Sequence, residues 1–247
     1  MGERTVFRIT GDDARDFLQG LVTNDVGRLS GGAVWAALLS PQGKYLADFI
    51  LVPEGDPILL DVAKPLAAGL SQRLSLYRLR SKVVIEPTDI QVARGLGPTP
   101  EGAFADPRHA AMGWRAYDGR AGEAFDDTAI RVAHCIPETG IELIPNDSYP
   151  LETGFERLNG VDFRKGCYVG QEVTARMKHK TELRKGLASV SIEGSAPVGT
   201  DILTEDGKVA GTLFSQSGDQ AIAYLRFDRA KGDMRAGDAT VRMTDTA

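Results

Sequence analysis

Hydrophobic positions change their spacing several times along this chain, and each change predicts an element. Val6, Phe7 and Ile9 form a short apolar run that reads as a strand. Thr10 and Asp13 then make a pair like a capping box, and Ala14, Phe17, Leu18 and Leu21 recur at helical spacing up to the turn-forming Thr23-Asn24-Asp25. Residues 33–39 and 45–52 are two apolar segments joined by Ser40-Pro41-Gln42-Gly43, a sequence that suits a type I turn, so an antiparallel hairpin is expected. Residues 58–62 predict a third strand, and Leu66, Leu70, Leu74 and Tyr77 a helix whose end carries Arg73, Arg78, Arg80 and Lys82. That basic cluster is a solvated face in its usual meaning and a pocket for an anionic tail in the alternative. Further strands are expected over 83–85 and 90–93, an irregular crossing over 95–113, helices over 121–135 and 151–158, and one or two helical turns over 171–178.

From Leu187 the texture changes. Residues 187–192, 202–204, 209–214 and 221–225 are short apolar runs separated by Gly, Asp and Ser, which predicts a small antiparallel barrel or sandwich. The chain is therefore divided near Lys185, with residues 1–184 as one region and 185–247 as the next.

Asp48 breaks the hairpin pattern. Strict alternation puts Leu46 and Ile50 on its face and Tyr45, Ala47, Phe49 and Leu51 on the other, so the strand is covered on both sides with its only charge in the middle. An ionised carboxylate there is costly unless it is paired or hydrogen-bonded, so Asp48 is a functional acid or a buried Asp satisfied by a neighbour.

Composition narrows the class. With 42% hydrophobic and 26% charged residues over 247 positions, the chain is an ordinary globular protein long enough for a sizeable core. Its formal charge of −5 argues against a broad duplex-binding face, and direct binding of nucleic acid is not expected. No apolar run is long enough to span a bilayer and the N-terminus has no apolar signal region, so a cytoplasmic protein is expected. The two cysteines, Cys135 and Cys167, lie far apart with no C-x-x-C, and His109, His134 and His179 show no ligand spacing, so no resident metal site is expected.

The densest chemistry lies in Arg164-Lys165-Gly166-Cys167-Tyr168-Val169-Gly170-Gln171-Glu172. Its apolar positions follow no period, and two glycines four apart point to a sharp turn or a close approach of backbone. Cys167 has Lys165 and Arg164 beside it and Arg176 further on. Cations favour a thiolate, so a reactive thiol stands against a small buried hydrophobe. Tyr168 either stacks on a flat ligand or fills the core. Glu172 suits the first turn of a helix as well as it suits catalysis. The basic run from Lys178 to Lys185 reads first as a solvated loop.

The segment Lys165 to Glu172, followed by Arg176, closely resembles the K-G-C-Y-x-G-Q-E signature of the YgfZ family, folate-binding relatives of the glycine-cleavage T-protein (aminomethyltransferase) whose mitochondrial branch acts in iron–sulfur cluster assembly. Phe17 to Val26 resembles that family's first helix and T-N-D-V exit, and Asp106-Pro107-Arg108, Gly113-Trp114-Arg115 and Ile136-Pro137-Glu138 also match. The resemblance implies an α+β fold of the tripartite aminomethyltransferase type, two α+β modules and a C-terminal β-barrel around a central channel. It implies that Asp48 is the folate-binding, catalytic acid, that Trp35 packs on the ligand, and that Glu152, in Leu151-Glu152-Thr153-Gly154, contacts the pterin. Ala47 and Val62 replace an Asp and an Asn of the T-protein.

The function so implied is a tetrahydrofolate-binding protein for assembly, insertion or repair of iron–sulfur clusters in client enzymes. Cys167 would act as its thiol, assisted by Lys165, and a transient cluster would be shared with a partner because two thiols are too few to hold one. A folate-dependent one-carbon transferase, and a non-catalytic folate-binding regulator linked to tRNA modification, are the alternatives.

Overall fold

The computed structural model describes residues 2–180 and 183–246. Strands β1 (Arg4–Thr10), β2 (Val34–Leu39), β3 (Tyr45–Pro53), β4 (Ile58–Ala63) and β5 (Val84–Pro87) form one sheet in the order β2-β3-β4-β1-β5, every neighbouring pair antiparallel. Helices α1 (Ala14–Gln19) and α2 (Lys64–Arg78) cover one face, where Phe7, Phe17, Leu18, Phe49, Leu70 and Leu74 share a core. The predicted stripe of α2 holds for Leu70 and Leu74, but Tyr77 lies beyond the core and is exposed, as are Arg73, Arg78, Arg80 and Lys82.

The opposite face is packed by the middle of the chain. There β6 (Ala93–Gly95), β7 (Phe104–Ala105) and β8 (Trp114–Ala116) make a small sheet in the order β6-β8-β7. The crossing expected over 95–113 thus contains a strand, and the strand expected over 90–93 begins only at Ala93. The helix expected over 121–135 is confined to α3 (Thr128–Ala133). The Glu123 amide donates to the Arg94 carbonyl at 2.7 Å, and a Cβ on Gly122 would lie 2.9 Å from the Arg94 nitrogen, so this stretch is held against β6 and cannot coil. Residues 151–158 form successive turns instead of a helix, because Gly154 takes φ +77.

The chain then enters the glycine-rich loop and α4 (Gln171–Lys180), longer than the one or two turns expected. Thr181 and Glu182, inside the basic run, lie outside the described residues. Strands β9 (Lys185–Glu193), β10 (Asp201–Leu203), β11 (Val209–Ser217), β12 (Gln220–Arg226), β13 (Met234–Ala236) and β14 (Ala239–Thr246) close into a barrel in the order β10-β11-β12-β9-β14-β13 around Val190, Ile202, Leu213 and Leu225. Closure leaves no unpaired edge. The whole is the α+β, aminomethyltransferase-like arrangement with its terminal barrel.

Gly166 and Gly170 both have positive φ, +96 and +83. At Gly170 the backbone also lies against the β2–β3 turn: an added Cβ would sit 2.6 Å from the Ser40 carbonyl oxygen and 3.0 Å from Gly43 Cα. Gly170→Ala is expected to destabilise the protein by about 1–3 kcal/mol in denaturant unfolding. An unchanged midpoint would refute the close approach.

Candidate functional site

Asp48 is opposite Ala37 of β2, on the face of the sheet that looks toward the middle of the chain. The register slips between Leu38 and Leu39, where Ala47 and then Tyr45 are the partners and Leu46 is the extra residue. This β-bulge reverses the alternation. Leu46 turns into the α1–α2 core, and Tyr45, three residues from Asp48, comes round to the acid's own face. The strictly alternating pattern placed both on the wrong sides.

Three donors hold the carboxylate. Trp35 Nε1 donates to Oδ2 at 2.9 Å, Tyr45 Oη to Oδ1 at 2.8 Å, and Thr139 Oγ1 to Oδ1 at 2.6 Å. Burial, together with the Asp48 charge, pushes the Tyr45 phenol well above its ordinary range, so it stays a donor. A carboxylate has about four lone-pair sites, so one acceptor position on Oδ2 is left over. Trp35 is 1% exposed and stacked on Phe155, ring centroids 4.1 Å apart at 27°. A Cβ on Gly160 would lie 2.6 Å from the indole carbons Cε3 and Cζ3. The resemblance implied that Trp35 packs on a ligand. In the structure its ring packs on Phe155, and its contribution to the site is the N–H.

Glu152 is buried at the junction with the barrel. Its Oε2 accepts from Tyr224 Oη at 2.5 Å and lies 3.8 Å from Lys185 Nζ, and its carbonyl accepts the Leu187 amide at 2.7 Å. Burial and the Glu152 charge push the Tyr224 phenol upward. Glu152 thus ties the turns at 151–158 to β9 and β12, while Phe155 of the same turns reaches Trp35. A cleft of about 390 Å3 opens beside Glu152, lined by Met177, Leu183, Arg184, Lys185, Arg226 and Asp228.

The motif residues divide between anchor and display. Lys165 is half-buried, and its ammonium donates to the carbonyls of Gln19 at 2.5 Å and Val22 at 2.8 Å, capping the end of α1. Gln19 returns a hydrogen bond to the Lys165 carbonyl at 3.1 Å. Burial lowers the Lys165 pKa to about 8, against the charges of Asp25, Asp162 and Cys167, which hold it up. Tyr168 fills the core beside Trp35, and burial raises its pKa to about 12. Arg176 pairs with Glu172 at 2.8 Å on an exposed turn of α4, and Gln171 donates to the Gly166 carbonyl at 3.0 Å. Cys167 is exposed. The helix expected to run up to Thr23-Asn24-Asp25 ends at Gln19, and Asn24 and Asp25 serve beyond it: Asn24 donates to the carbonyls of Trp35 and Asn159, and Asp25 caps the following short helix.

The structure therefore brings Asp48 and Trp35 into direct contact, places Glu152 one turn from Phe155, and packs the glycine-rich loop on the hairpin that carries Asp48. Tyr45, Thr139 and Phe155 were missed as site residues. Among the described residues, no group of three or more His, Cys, Asp and Glu side chains is arranged to hold a metal ion.

Comparison with known proteins bears on the fold and the family. A family model for the CAF17 C-terminal beta-barrel domain matches residues 184–247. The human protein "Iron-sulfur cluster assembly factor IBA57, mitochondrial" is 33% identical over 276 residues, covering 94% of this chain and 78% of that protein. Its mouse counterpart is 33% identical over 278 residues, with the same coverage of 94% and 78%. The homologue from Mycosarcoma maydis is 32% identical over 230 residues, covering 78% of this chain and 57% of its own length. Among solved structures, the glycine cleavage system aminomethyltransferase T from Bartonella henselae superposes with a TM-score of 0.76 at 13% identity, over 98% of this chain and 83% of that one, a likeness of fold.

Proposed function

The chain belongs to the family of IBA57 iron–sulfur cluster assembly factors, and from that premise we propose that it is a tetrahydrofolate-binding factor for the assembly, insertion or repair of iron–sulfur clusters in client enzymes. The folate half rests above all on Asp48, a buried acid held by three donors with one acceptor position left over. Its surroundings suit a ligand rich in N–H groups. Reduced folate supplies such an edge when bound, and Asp48 accepts from it. Trp35, Tyr45 and Thr139 fix the carboxylate before the ligand arrives, so little ordering is lost on binding.

The cluster is cargo. Cys167 offers it a single exposed thiolate ligand, and Lys165 fixes the loop that carries that thiol. The remaining ligands come from an assembly partner or client, since one or two thiols fall short of a cluster's usual four. The aminomethyl-transfer alternative is not favoured. Ala47 and Val62 stand where the resemblance places an Asp and an Asn of the transferase, so those two polar groups are lacking here.

Tetrahydrofolate titrated against the wild type and Asp48→Asn tests the folate half. Loss of a charged acceptor predicts affinity about 10–100-fold weaker in the variant. Equal affinities would remove Asp48 from the site.

A further inference from the structure

A cavity of about 580 Å3 lies where the N-terminal end of β1 and the start of α2 meet β6 and residues 122–125. None of the residues that hold Asp48 lines it. Arg4 of β1 and Arg94 of β6 do line it, and their side chains are nearly enclosed, 11% and 13% exposed. Neither guanidinium has all its donors bonded. Arg4 donates from Nε to Asp61 Oδ1 at 2.6 Å and from Nη2 to the Asp61 carbonyl at 2.8 Å. Arg94 donates from Nη2 to Asp127 at 3.1 Å. The Nη1 group of each makes no hydrogen bond among the described residues and keeps access to solvent, whereas Arg94 Nε is enclosed and bonds to nothing. Nearly buried guanidinium groups with unmet donors are a standing cost to the folded chain.

The local charge is also cationic. Arg4 ends the series Arg4–Asp61–Arg115–Asp106–Arg108, in which three guanidinium groups meet two carboxylates. Burial and then the charge of Arg115 draw the Arg94 pKa below its ordinary value, against the pull of Asp127. Two acids line the cavity at exposed positions, and both are turned elsewhere. Glu3 pairs with Lys64 at 2.6 Å, and Glu123 Oε2 accepts the Leu96 amide at 3.3 Å.

We propose that this cavity is a second ligand site, which binds the phosphate group of a small phosphate ester between the Nη1 groups of Arg4 and Arg94. A planar carboxylate is matched by the two-pronged edge of one arginine. Here the bonded edges go to aspartates, and each strand contributes a single terminal amino group. A tetrahedral phosphate presents oxygens in several directions and suits donors that arrive from two sides. The cavity is larger than a phosphate and falls in the range of roughly 300–1,000 Å3 usual for small-molecule sites. Val92 and Phe125 give the organic part an apolar wall, and the Phe125 ring lies 5.0 Å from the Arg94 guanidinium, which holds that group in place.

The test uses the full chain with pyrophosphate as the probe and malonate as the dicarboxylate comparison, each against chloride at equal ionic strength. At about 10 mM, pyrophosphate should raise the melting temperature by about 2–4 °C, and malonate should do markedly less. Calorimetric titration then compares variants. Arg94→Met should bind pyrophosphate at least about tenfold more weakly. Ala124→Glu, at an exposed lining position outside the arginine network, should bind about fivefold more weakly, and Ala124→Gln should match the wild type. Asp48→Asn should bind pyrophosphate as the wild type does, which separates this site from the one proposed for folate.

No gain over chloride overturns the proposal. A gain that both Arg94→Met and Ala124→Glu retain places the anion elsewhere and overturns it as well. A malonate shift as large as that of pyrophosphate overturns the assignment to phosphate. If Arg94→Met fails to fold, the contrast between Ala124→Glu and Ala124→Gln decides alone, and equal affinities for those two overturn the proposal.

Discussion

Asp61→Ala lowers the stability of the protein by about 3–5 kcal/mol, the largest loss expected of any single substitution discussed here. Asp61 is fully buried in β4 and binds three groups through its side chain. Oδ1 accepts from Arg4 Nε at 2.6 Å, and Oδ2 accepts from Arg115 Nη1 at 3.0 Å and Tyr117 Oη at 2.8 Å. Arg115 goes on to Asp106 at 2.9 Å, which is also forked by Arg108 at 2.9 and 2.8 Å. The chain of charges crosses from the five-stranded sheet to the small sheet of β6, β7 and β8. Removing Asp61 takes the carboxylate from Arg4, leaves the almost wholly buried Arg115 with one carboxylate fewer beside Asp106, and cuts the tie between the two sheets. Denaturant unfolding measures the loss, and a difference below about 1 kcal/mol would show that the guanidinium groups find other partners.

The same network sets the response to acid. Burial alone would raise the Asp61 pKa, but Arg4 and Arg115, with the bonds from Arg4 and Tyr117, outweigh it and hold the carboxyl below its usual range. Asp106 is likewise held below its usual range, by Arg108 and Arg115 against the same burial. A depressed carboxylate pKa contributes stability that is present above the unfolded-state value and lost as the pH falls through the folded-state value. The wild type should therefore lose stability steeply in acid, and Asp61→Ala should show a shallower loss from a lower starting point.

Period and punctuation made the hairpin, the barrel and the close approach at Gly170 legible in the sequence, because each is decided by residues near one another in the chain. Asp48 was legible for the same reason, as one charge in a run of apolar residues. That argument applies equally to Asp61, which lies among Leu59, Leu60, Val62 and Ala63, and it would have found the second buried acid. What separates the two is distant in sequence. Asp48 meets neutral donors, one of them from residue 139, whereas Asp61 meets cations from residues 4 and 115. Tyr45 was hidden by a bulge, which shifts the face of a side chain without altering the hydrophobic pattern. The overlong helix expected over 121–135 failed because backbone pairing with Arg94 is non-local, and propensity cannot register it. Lys165 read as a cation assisting the Cys167 thiol, and only the fold shows its ammonium bonded to the carbonyls at the end of α1.

Cys167→Ser should abolish cluster delivery while leaving the fold and the folate site intact. Cys167 is exposed, so losing its sulfur costs no packing, and the melting temperature should stay within about 1–2 °C of the wild type. Tetrahydrofolate affinity should likewise be unchanged, since the motif reaches the Asp48 strand through Gly170 and Tyr168 and not through the thiol. Function should nevertheless fall to background, because serine is a far poorer ligand for iron than a thiolate. Lys165→Met provides the contrast. It leaves the thiol in place but deprives the Gln19 and Val22 carbonyls of their donor, so it should lower both stability and delivery. The measurement is the activity of an iron–sulfur client enzyme in cells in which each variant is the sole copy, with purified protein melted in parallel. Full client activity with Cys167→Ser would mean that the loop serves as a structural hinge and that delivery proceeds without its thiol. Loss of activity with unchanged melting and unchanged folate binding would separate the two halves of the proposed function, with folate held at Asp48 and the cluster met at Cys167.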